Sequence, residues 1–255
     1  MDNPNPPLYT EHHSEPPPNY ITNSSSASSH PPFPSTLNVY GAWSQWKSIN
    51  LCGATSNDRL CLLEMHTGYT SKGPLGARPA MLLHSGMSTK DPIIVAVGEE
   101  SHGVNAFNLN SVIKLPALEG DGKDGRMDTE IMRAGTSAAH DVTFYFSIEV
   151  GEKRIREEFE WRKFKKGFTL VRPHRGGSSS STDDGETVAL VTWRTSLTSL
   201  THAFSLELMG SGESGILGER WTLMVIITSL RLYALHIKGR TRKTIVGMGE
   251  RTSSK

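Results

Sequence analysis

The sequence predicts a mainly β domain in which a closed antiparallel β-barrel surrounds one hydrophobic C-terminal helix, preceded by a disordered N-terminal arm. Three observations predict this class. Short β-rich runs recur along the chain between Gly, Pro, Asp and Ser residues. One long segment near the C-terminus is apolar on every side of a helical wheel. The first 46 residues have a composition that cannot build a core.

The arm, residues 1–46, contains nine of the 14 prolines, no Lys or Arg, and three acids. Low hydrophobicity and clustered Pro and Ser predict disorder. Without these three acids, the body has 27 cations against 23 acids, a net charge of +4. We expect a barrel domain over residues 47–248 and a basic disordered tail over 249–255.

Eleven strands are predicted in the body. Each run is bounded by turn residues, and Glu119–Gly125 and Gly176–Gly185 are flexible connections of the kind that join hairpin strands. The predicted strands are Ser48–Ala54, Arg59–His66, Ala80–His84, Ile93–Val97, Ser111–Leu115, Met127–Arg133, Val142–Val150, Ile155–Phe159, Phe168–Arg172, Thr187–Trp193 and His202–Met209.

A helix is predicted over residues 217–237, with glycines on both sides and basic residues at its C-terminal end. Its apolar residues surround the helix, so the helix must be enclosed. Inside a barrel, Arg231 would have to reach a mouth or a carboxylate. The residues that we expect at the centre of the core are Trp221, Met224, Ile227, Leu230 and Arg231.

A membrane span is the alternative environment for this helix. The uninterrupted apolar stretch runs from Trp221 to Leu230, only ten residues before Arg231, whereas roughly 20 are needed to cross a bilayer. A central Arg costs about 2.5–3.5 kcal/mol on insertion. The sequence therefore favours the barrel core over the span.

Four blocks of sequence resemble a fungal family of tubby C-terminal-like proteins, itself uncharacterised. They lie between Ala80 and Gly239: Leu83-His-Ser-Gly-Met-Ser-Thr-Lys-Asp-Pro, Phe159-Glu-Trp-Arg after a Gly-Glu-Lys-Arg turn, Glu186-Thr-Val-Ala-Leu-Val-Thr-Trp, and Gly215-Ile-Leu-Gly-Glu-Arg-Trp-Thr-Leu-Met-Val-Ile-Ile-Thr-Ser-Leu-Arg. Phospholipid scramblases and plant LURP-one-related proteins look like members of the same superfamily.

The resemblance implies the tubby-like fold, about twelve strands closed around one hydrophobic C-terminal helix. It does not carry function, because one fold hosts many functions. Classical tubby proteins bind phosphoinositides through basic surface residues, but no motif here matches theirs position by position.

The arm contains two copies of Pro-Pro-x-Tyr, formed by Pro6, Pro7 and Tyr9 and by Pro17, Pro18 and Tyr20. Adjacent prolines preform a polyproline II ridge for the aromatic groove of a WW domain, and the tyrosine fills the neighbouring pocket. Two copies also permit avidity. We expect a WW-domain partner, of which HECT-type ubiquitin ligases are an example; chance recurrence in a Pro-rich arm is the alternative.

A basic stretch interleaved with aromatic residues predicts contact with anionic phospholipid, where each cation near the surface contributes about 1 kcal/mol. A solvated strand pair is the alternative. The cations of this stretch that we select as lipid-binding candidates are Lys153, Arg154, Arg156, Arg162, Lys163, Lys165 and Lys166.

No catalytic or metal-binding pattern occurs in the sequence. The ten histidines lack metal-ligand spacing, and Gly210–Gly215 matches G-x-G-x-x-G without the strands and acid that a dinucleotide site needs. Cys52 and Cys61 sit in apolar surroundings typical of buried thiols. We expect no enzymatic activity, no cofactor, no metal and no nucleic-acid partner.

These observations together predict an adaptor or membrane-peripheral module with a WW-binding arm and a barrel that contacts anionic phospholipid. The first residues lack the basic and apolar run of a signal peptide, so we expect a cytoplasmic protein that is not secreted. The alternative function is that of a scramblase-like membrane protein whose C-terminal helix inserts in the bilayer.

Overall fold

A computed structural model of the protein describes residues 33–41, 48–67, 73–100, 109–118, 126–136, 142–174, 185–194 and 202–253, with side chains as far as residue 249. Twelve strands precede two helices. The strands are β1 (Thr36–Tyr40), β2 (Ser48–Cys52), β3 (Arg59–His66), β4 (Ala80–His84), β5 (Ile93–Glu99), β6 (Ser111–Pro116), β7 (Met127–Gly135), β8 (Thr143–Val150), β9 (Ile155–Phe164), β10 (Gly167–Arg172), β11 (Glu186–Trp193) and β12 (His202–Leu208). The helices are α1 (Glu219–Ile237) and α2 (Lys243–Ser253).

The strands form a closed antiparallel barrel. Each strand pairs with the next along the chain, and β1 pairs with β12, so the sheet has no free edge. All eleven strands predicted from the sequence are present. The mainly β fold class and the closed antiparallel barrel are therefore confirmed.

The twelfth strand, β1, lies within the segment that the sequence predicted to be a disordered arm. Leu37 and Val39 face the interior and are at most 1% exposed, while Asn38 donates to the carbonyl of Gly53 at 2.7 Å. The prediction of disorder as far as residue 46 is wrong for Thr36–Tyr40. Two inward-facing residues in a five-residue strand are too few to stand out from the Pro- and Ser-rich sequence before them.

Helix α1 is enclosed by the barrel, as its apolar wheel predicts. It packs against β5, β6, β8, β11 and β12. The five residues expected at the centre of the core are buried: Trp221, Met224, Ile227, Leu230 and Arg231. The predicted start at 217 is two residues early, because Gly218 is the N-cap. No helix in the described ranges is long and apolar enough to cross a membrane.

Packing joins helix and sheet in the interior, and a buried hydrogen bond near the middle of the helix adds to it. Trp161 on β9 donates its indole N–H to the Thr228 hydroxyl at 3.1 Å, and Thr228 donates to the Met224 carbonyl at 2.7 Å. Burying each large apolar side chain contributes about 1.5–3 kcal/mol. Because both polar groups are satisfied, the buried pair orients the helix without leaving an unpaired donor.

The glycine-rich turn before α1 is a packing device. An added Cβ at Gly212 would lie 2.6 Å from a ring carbon of Trp221, closer than real Cβ atoms come. Gly212 therefore allows the turn after β12 to lie directly against the first turn of the helix. This packing role agrees with the sequence around the turn, which lacks the strands and the acid that a dinucleotide site needs.

Helix α2 corrects the predicted tail. The sequence predicts a barrel domain to residue 248 and disorder over 249–255, but residues 249–253 belong to α2. Val246 is 1% exposed, and the helix packs against β7. Gly247 and Gly249 lower the helix propensity of this segment, so tertiary packing rather than propensity stabilises it.

Candidate functional site

The rim of the barrel where α1 ends is the candidate functional site. In an antiparallel barrel the ends of odd-numbered strands and the starts of even-numbered strands meet at one rim. Two contacts of α1 show that the helix ends at this rim. Arg231 donates to Ser111 at the start of β6 at 3.0 Å, and His236 stacks on Trp193 at the end of β11.

Cations are concentrated at this rim, which we name the basic mouth. Its cations are Arg78, Lys165, Lys166, Arg194, Lys238, Arg240, Arg242 and Lys243. Of the described residues within two positions of this rim, the acids are Glu99, Glu100 and Glu64, and Glu64 is paired with His84. Excess positive charge at one end of the barrel creates a local field that attracts anions.

The opposite mouth, where α1 begins, carries both signs of charge in ion pairs. Arg220 lies 2.9 Å from the buried carboxylate of Glu130, and Arg156 binds both Glu130 and Glu149. These pairs neutralise one another within the barrel end. The two mouths therefore differ in their electrostatic character.

The seven lipid-binding candidates do not form one surface. Lys153 and Arg154 lie in the turn before β9, at the opposite mouth, whereas Lys165 and Lys166 follow β9 at the basic mouth. The ten residues of β9 separate the two pairs by about 33 Å at 3.3 Å per residue.

The other three candidates make intramolecular contacts along β9. Arg156 pairs with acids of the opposite mouth, Arg162 lies 2.8 Å from Glu160, and Lys163 donates to the Thr241 carbonyl at 2.5 Å. The last contact ties the end of β9 to the chain between α1 and α2. Lys165 and Lys166 are thus the members of the set that lie exposed at the basic mouth.

Glu99 is the carboxylate shared by the cations inside the basic mouth. It lies 2.7 Å from Arg240 and 3.5 Å from Arg231. Burial alone would raise the pKa of Glu99, but the two guanidinium groups hold that pKa below its ordinary value. Burial, together with the positive charges of Arg231 and Arg240, lowers the pKa of Lys238. The lowered pKa of Glu99 indicates positive potential at this point.

A cavity of about 210 Å³ opens beside this cluster. Its polar lining includes Arg78, Glu99, Arg231 and Lys238, and its apolar lining includes Met65, Met81, Val97 and Ala234. Concave sites with an apolar wall and a few convergent polar groups are the usual form of a ligand site.

Sequence reasoning predicted that Arg231 needs a carboxylate or a mouth, and the structure provides both. It did not identify Glu99 as the partner or Arg78 and Lys238 as neighbours. One signal was available for Glu99, since it continues the inward-facing alternation of Val95 and Val97 on β5. Nothing in the spacing could indicate Arg78, which lies in the connection before β4.

The remaining predicted groups have structural surroundings or lie outside the described residues. Cys52 and Cys61 are buried cysteines in the thiol form, and burial raises the pKa of Cys61 to about 12. Within the described ranges, no group of His, Cys, Asp and Glu side chains could hold a metal ion. Both Pro-Pro-x-Tyr motifs, with Pro6, Pro7, Tyr9, Pro17, Pro18 and Tyr20, lie outside the described residues.

No family model, curated protein or solved structure matches the chain. The protein is therefore classified by its fold, which is a closed twelve-stranded antiparallel barrel around an enclosed C-terminal helix. One mouth of this barrel is basic.

Proposed function

We propose that the protein is a non-enzymatic interaction module that docks its basic mouth on anionic phospholipid and recruits a WW-domain protein through its N-terminal arm. The observation that carries the lipid part is the gathering of exposed cations at one mouth, including Lys165, Lys166, Arg242 and Lys243. Each cation brought near an anionic membrane surface contributes about 1 kcal/mol.

Exposed apolar side chains beside these cations support a membrane rather than a soluble polyanion. Phe164 is 37% exposed next to Lys165, and Ile237 is 39% exposed next to Lys238. Apolar groups that enter the headgroup region add to electrostatic attraction in peripheral membrane binding. The hydrogen bond from Lys163 to Thr241 brings the segments that carry them together.

Charge neutralisation at the two ends of β9 tests this orientation. We expect the double variant Lys165→Gln, Lys166→Gln to bind vesicles containing phosphatidylserine about 30-fold more weakly, because it removes about 2 kcal/mol of attraction. The measurement is cosedimentation of the full chain with vesicles of phosphatidylcholine and phosphatidylserine.

The matched control is Lys153→Gln, Arg154→Gln, which removes the same charge from the turn at the opposite mouth. Its binding should stay within about twofold of the parent chain, because these residues face away from a membrane docked on the basic mouth. Equal losses in both double variants would contradict the orientation, and no binding to phosphatidylserine by the parent chain would contradict the lipid function.

The arm is proposed to recruit a WW-domain protein, with HECT-type ubiquitin ligases as the partner class. Two Pro-Pro-x-Tyr motifs in the first twenty residues support this proposal. We expect a peptide of residues 1–25 to bind a WW domain, and Tyr9→Ala with Tyr20→Ala to weaken binding sharply, since each loses the pocket-filling ring. Fluorescence anisotropy measures the affinity.

The control peptide carries His12→Ala and His13→Ala, which lie between the motifs. Its affinity should match that of the parent peptide, because WW recognition uses the prolines and the tyrosine. If the tyrosine double variant bound the WW domain as tightly as the parent peptide, the result would contradict the proposal for the arm.

The tubby-like superfamily remains our proposed relationship. The barrel of twelve strands around an enclosed helix supports it, since this is the architecture that the resemblance implies.

A further inference from the structure

Helix α1 packs against β5, β6, β8, β11 and β12, and the cavity at the basic mouth lies beside its C-terminal half. Space is left on the side of β3 and β4, whose ends supply Met65 and Met81 to the cavity wall. Val97 and Ala234 extend this wall along β5 and the helix. The cavity therefore has an apolar wall, and transfer of an apolar group from water to this wall is favourable.

The polar part of the cavity lining has more positive than negative charge. Arg78, Arg231 and Lys238 line the cavity together with one carboxylate, Glu99. Among these groups, Glu99 pairs with Arg231 and Arg240. In the described parts of the connections after β3 and β5, Glu100 is the one further acid, and Arg78 donates to its backbone carbonyl at 3.2 Å.

We propose that this cavity binds a small amphipathic carboxylate. The carboxylate lies between Lys238, Arg231 and Arg78, and the hydrocarbon part lies against Met65 and Met81. A guanidinium or ammonium group forms strong charge-assisted hydrogen bonds with a carboxylate. This site shares Arg78 and Lys238 with the basic mouth, but the proposed ligand binding does not require membrane docking.

The volume sets the size of the ligand. A cavity of about 150 Å³ accommodates benzene in another protein, so a cavity of about 210 Å³ accommodates about eight non-hydrogen atoms by the same ratio. Hexanoate has this size and this division into a charged head and an apolar chain. A bare phosphate would leave the apolar wall uncovered, and a neutral alcohol would leave the cations without an added anion.

The test is a titration of the full chain, labelled at the methionine methyl groups, with sodium hexanoate. NMR shifts of the Met65 and Met81 methyls report on the cavity wall, and the buried Met132 and Met224, which do not line the cavity, serve as internal references. We expect saturable shifts at Met65 and Met81. Hexanol and inorganic phosphate, used as probes in the same way, should bind at least about tenfold more weakly, because each lacks one half of the recognition.

Lys238→Gln should weaken hexanoate binding about tenfold or more, because it removes a charged partner of the carboxylate. Arg78→Gln should weaken hexanoate binding in the same way. Because Arg78 and Lys238 lie in different parts of the chain, a folding defect in one variant would leave the other as a test. Lys243→Gln is the matched control, since this exposed lysine belongs to the basic mouth but does not line the cavity.

Absence of hexanoate shifts at Met65 and Met81 would overturn the proposal. Equal binding of hexanol would show an apolar cavity without charge recognition, and equal binding of phosphate would show a bare anion site; either result would overturn it as well. Vesicle binding by the parent chain is measured separately, so failure of the cavity proposal leaves the membrane proposal intact, and the reverse also holds.

Discussion

Arg231 is 5% exposed in the C-terminal half of α1, and it donates hydrogen bonds to Ser111 and Glu99 of the barrel wall. Ser111 and Glu99 approach it from two neighbouring strands. A buried charge without a partner costs several kcal/mol, so the helix must sit at the depth that brings Arg231 to the rim. This one residue therefore sets the position of the helix along the barrel.

Glu99→Gln tests the electrostatic role of this carboxylate. The pKa of Glu99 is lower in the folded protein than its ordinary value of 4.5. Its stabilising contribution is therefore present above the unfolded pKa and is lost as pH falls through the folded pKa. We expect the variant to lose about 1 kcal/mol at neutral pH, a modest value because the Glu99 side chain is 42% exposed.

The difference in unfolding free energy between the parent chain and Glu99→Gln should shrink as the pH falls to about 3. Urea unfolding at several pH values measures it. Glu152→Gln, in the exposed turn before β9, is the control for removal of a surface carboxylate. A difference that is independent of pH would contradict the role of Glu99 as a charged partner.

Strand β1 is the element that closes the barrel, because it pairs with both β2 and β12. Without it those two strands would each expose an unpaired edge, which promotes aggregation. Asn38 supports the closure by accepting from Ser205 of β12 at 2.9 Å. A five-residue strand thus joins β2 to β12 and closes the barrel.

Two truncations separate β1 from the arm. Removal of residues 1–32 should leave the melting temperature unchanged, because their composition lacks core-forming residues. Removal of residues 1–41 should abolish cooperative unfolding and give aggregates on size-exclusion chromatography, because β1 and its two inward-facing residues are lost.

The point variant Leu37→Ala should destabilise the barrel by about 2–5 kcal/mol, since a fully buried leucine is replaced by a cavity. Thermal unfolding by circular dichroism compares all three proteins. A cooperative transition at the parental temperature after removal of residues 1–41 would mean that the barrel does not require β1.

Across the whole molecule, charge is distributed along the barrel axis. The basic mouth gathers residues that are far apart in sequence, from Arg78 to Lys243, whereas the opposite mouth holds paired charges such as Arg220 and Glu130. An asymmetric field orients a protein as it approaches an anionic surface. The net charge of +1 for the chain conceals this asymmetry.

Much of the architecture could be predicted from the sequence, because the signals are local and repeated. Alternating residues such as Phe144, Phe146 and Ile148 identify a strand with one buried face. The all-round apolar surface of α1 requires an enclosing structure. Strand β1 and helix α2 escaped prediction because their own sequences carry weak signals and their contacts come from distant elements.

The sequence by itself determined a β-rich chain, an enclosed helix and an arm with two Pro-Pro-x-Tyr motifs, since each depends on residues that are neighbours along the chain. Only the tertiary structure decided which cations share a surface. Lys153 and Lys165 are close in sequence but lie at opposite mouths, while Arg78, Glu99 and Lys238 are distant in sequence but line one cavity. The physical reason is that strand direction and barrel closure, not spacing, determine which chain ends meet at one rim.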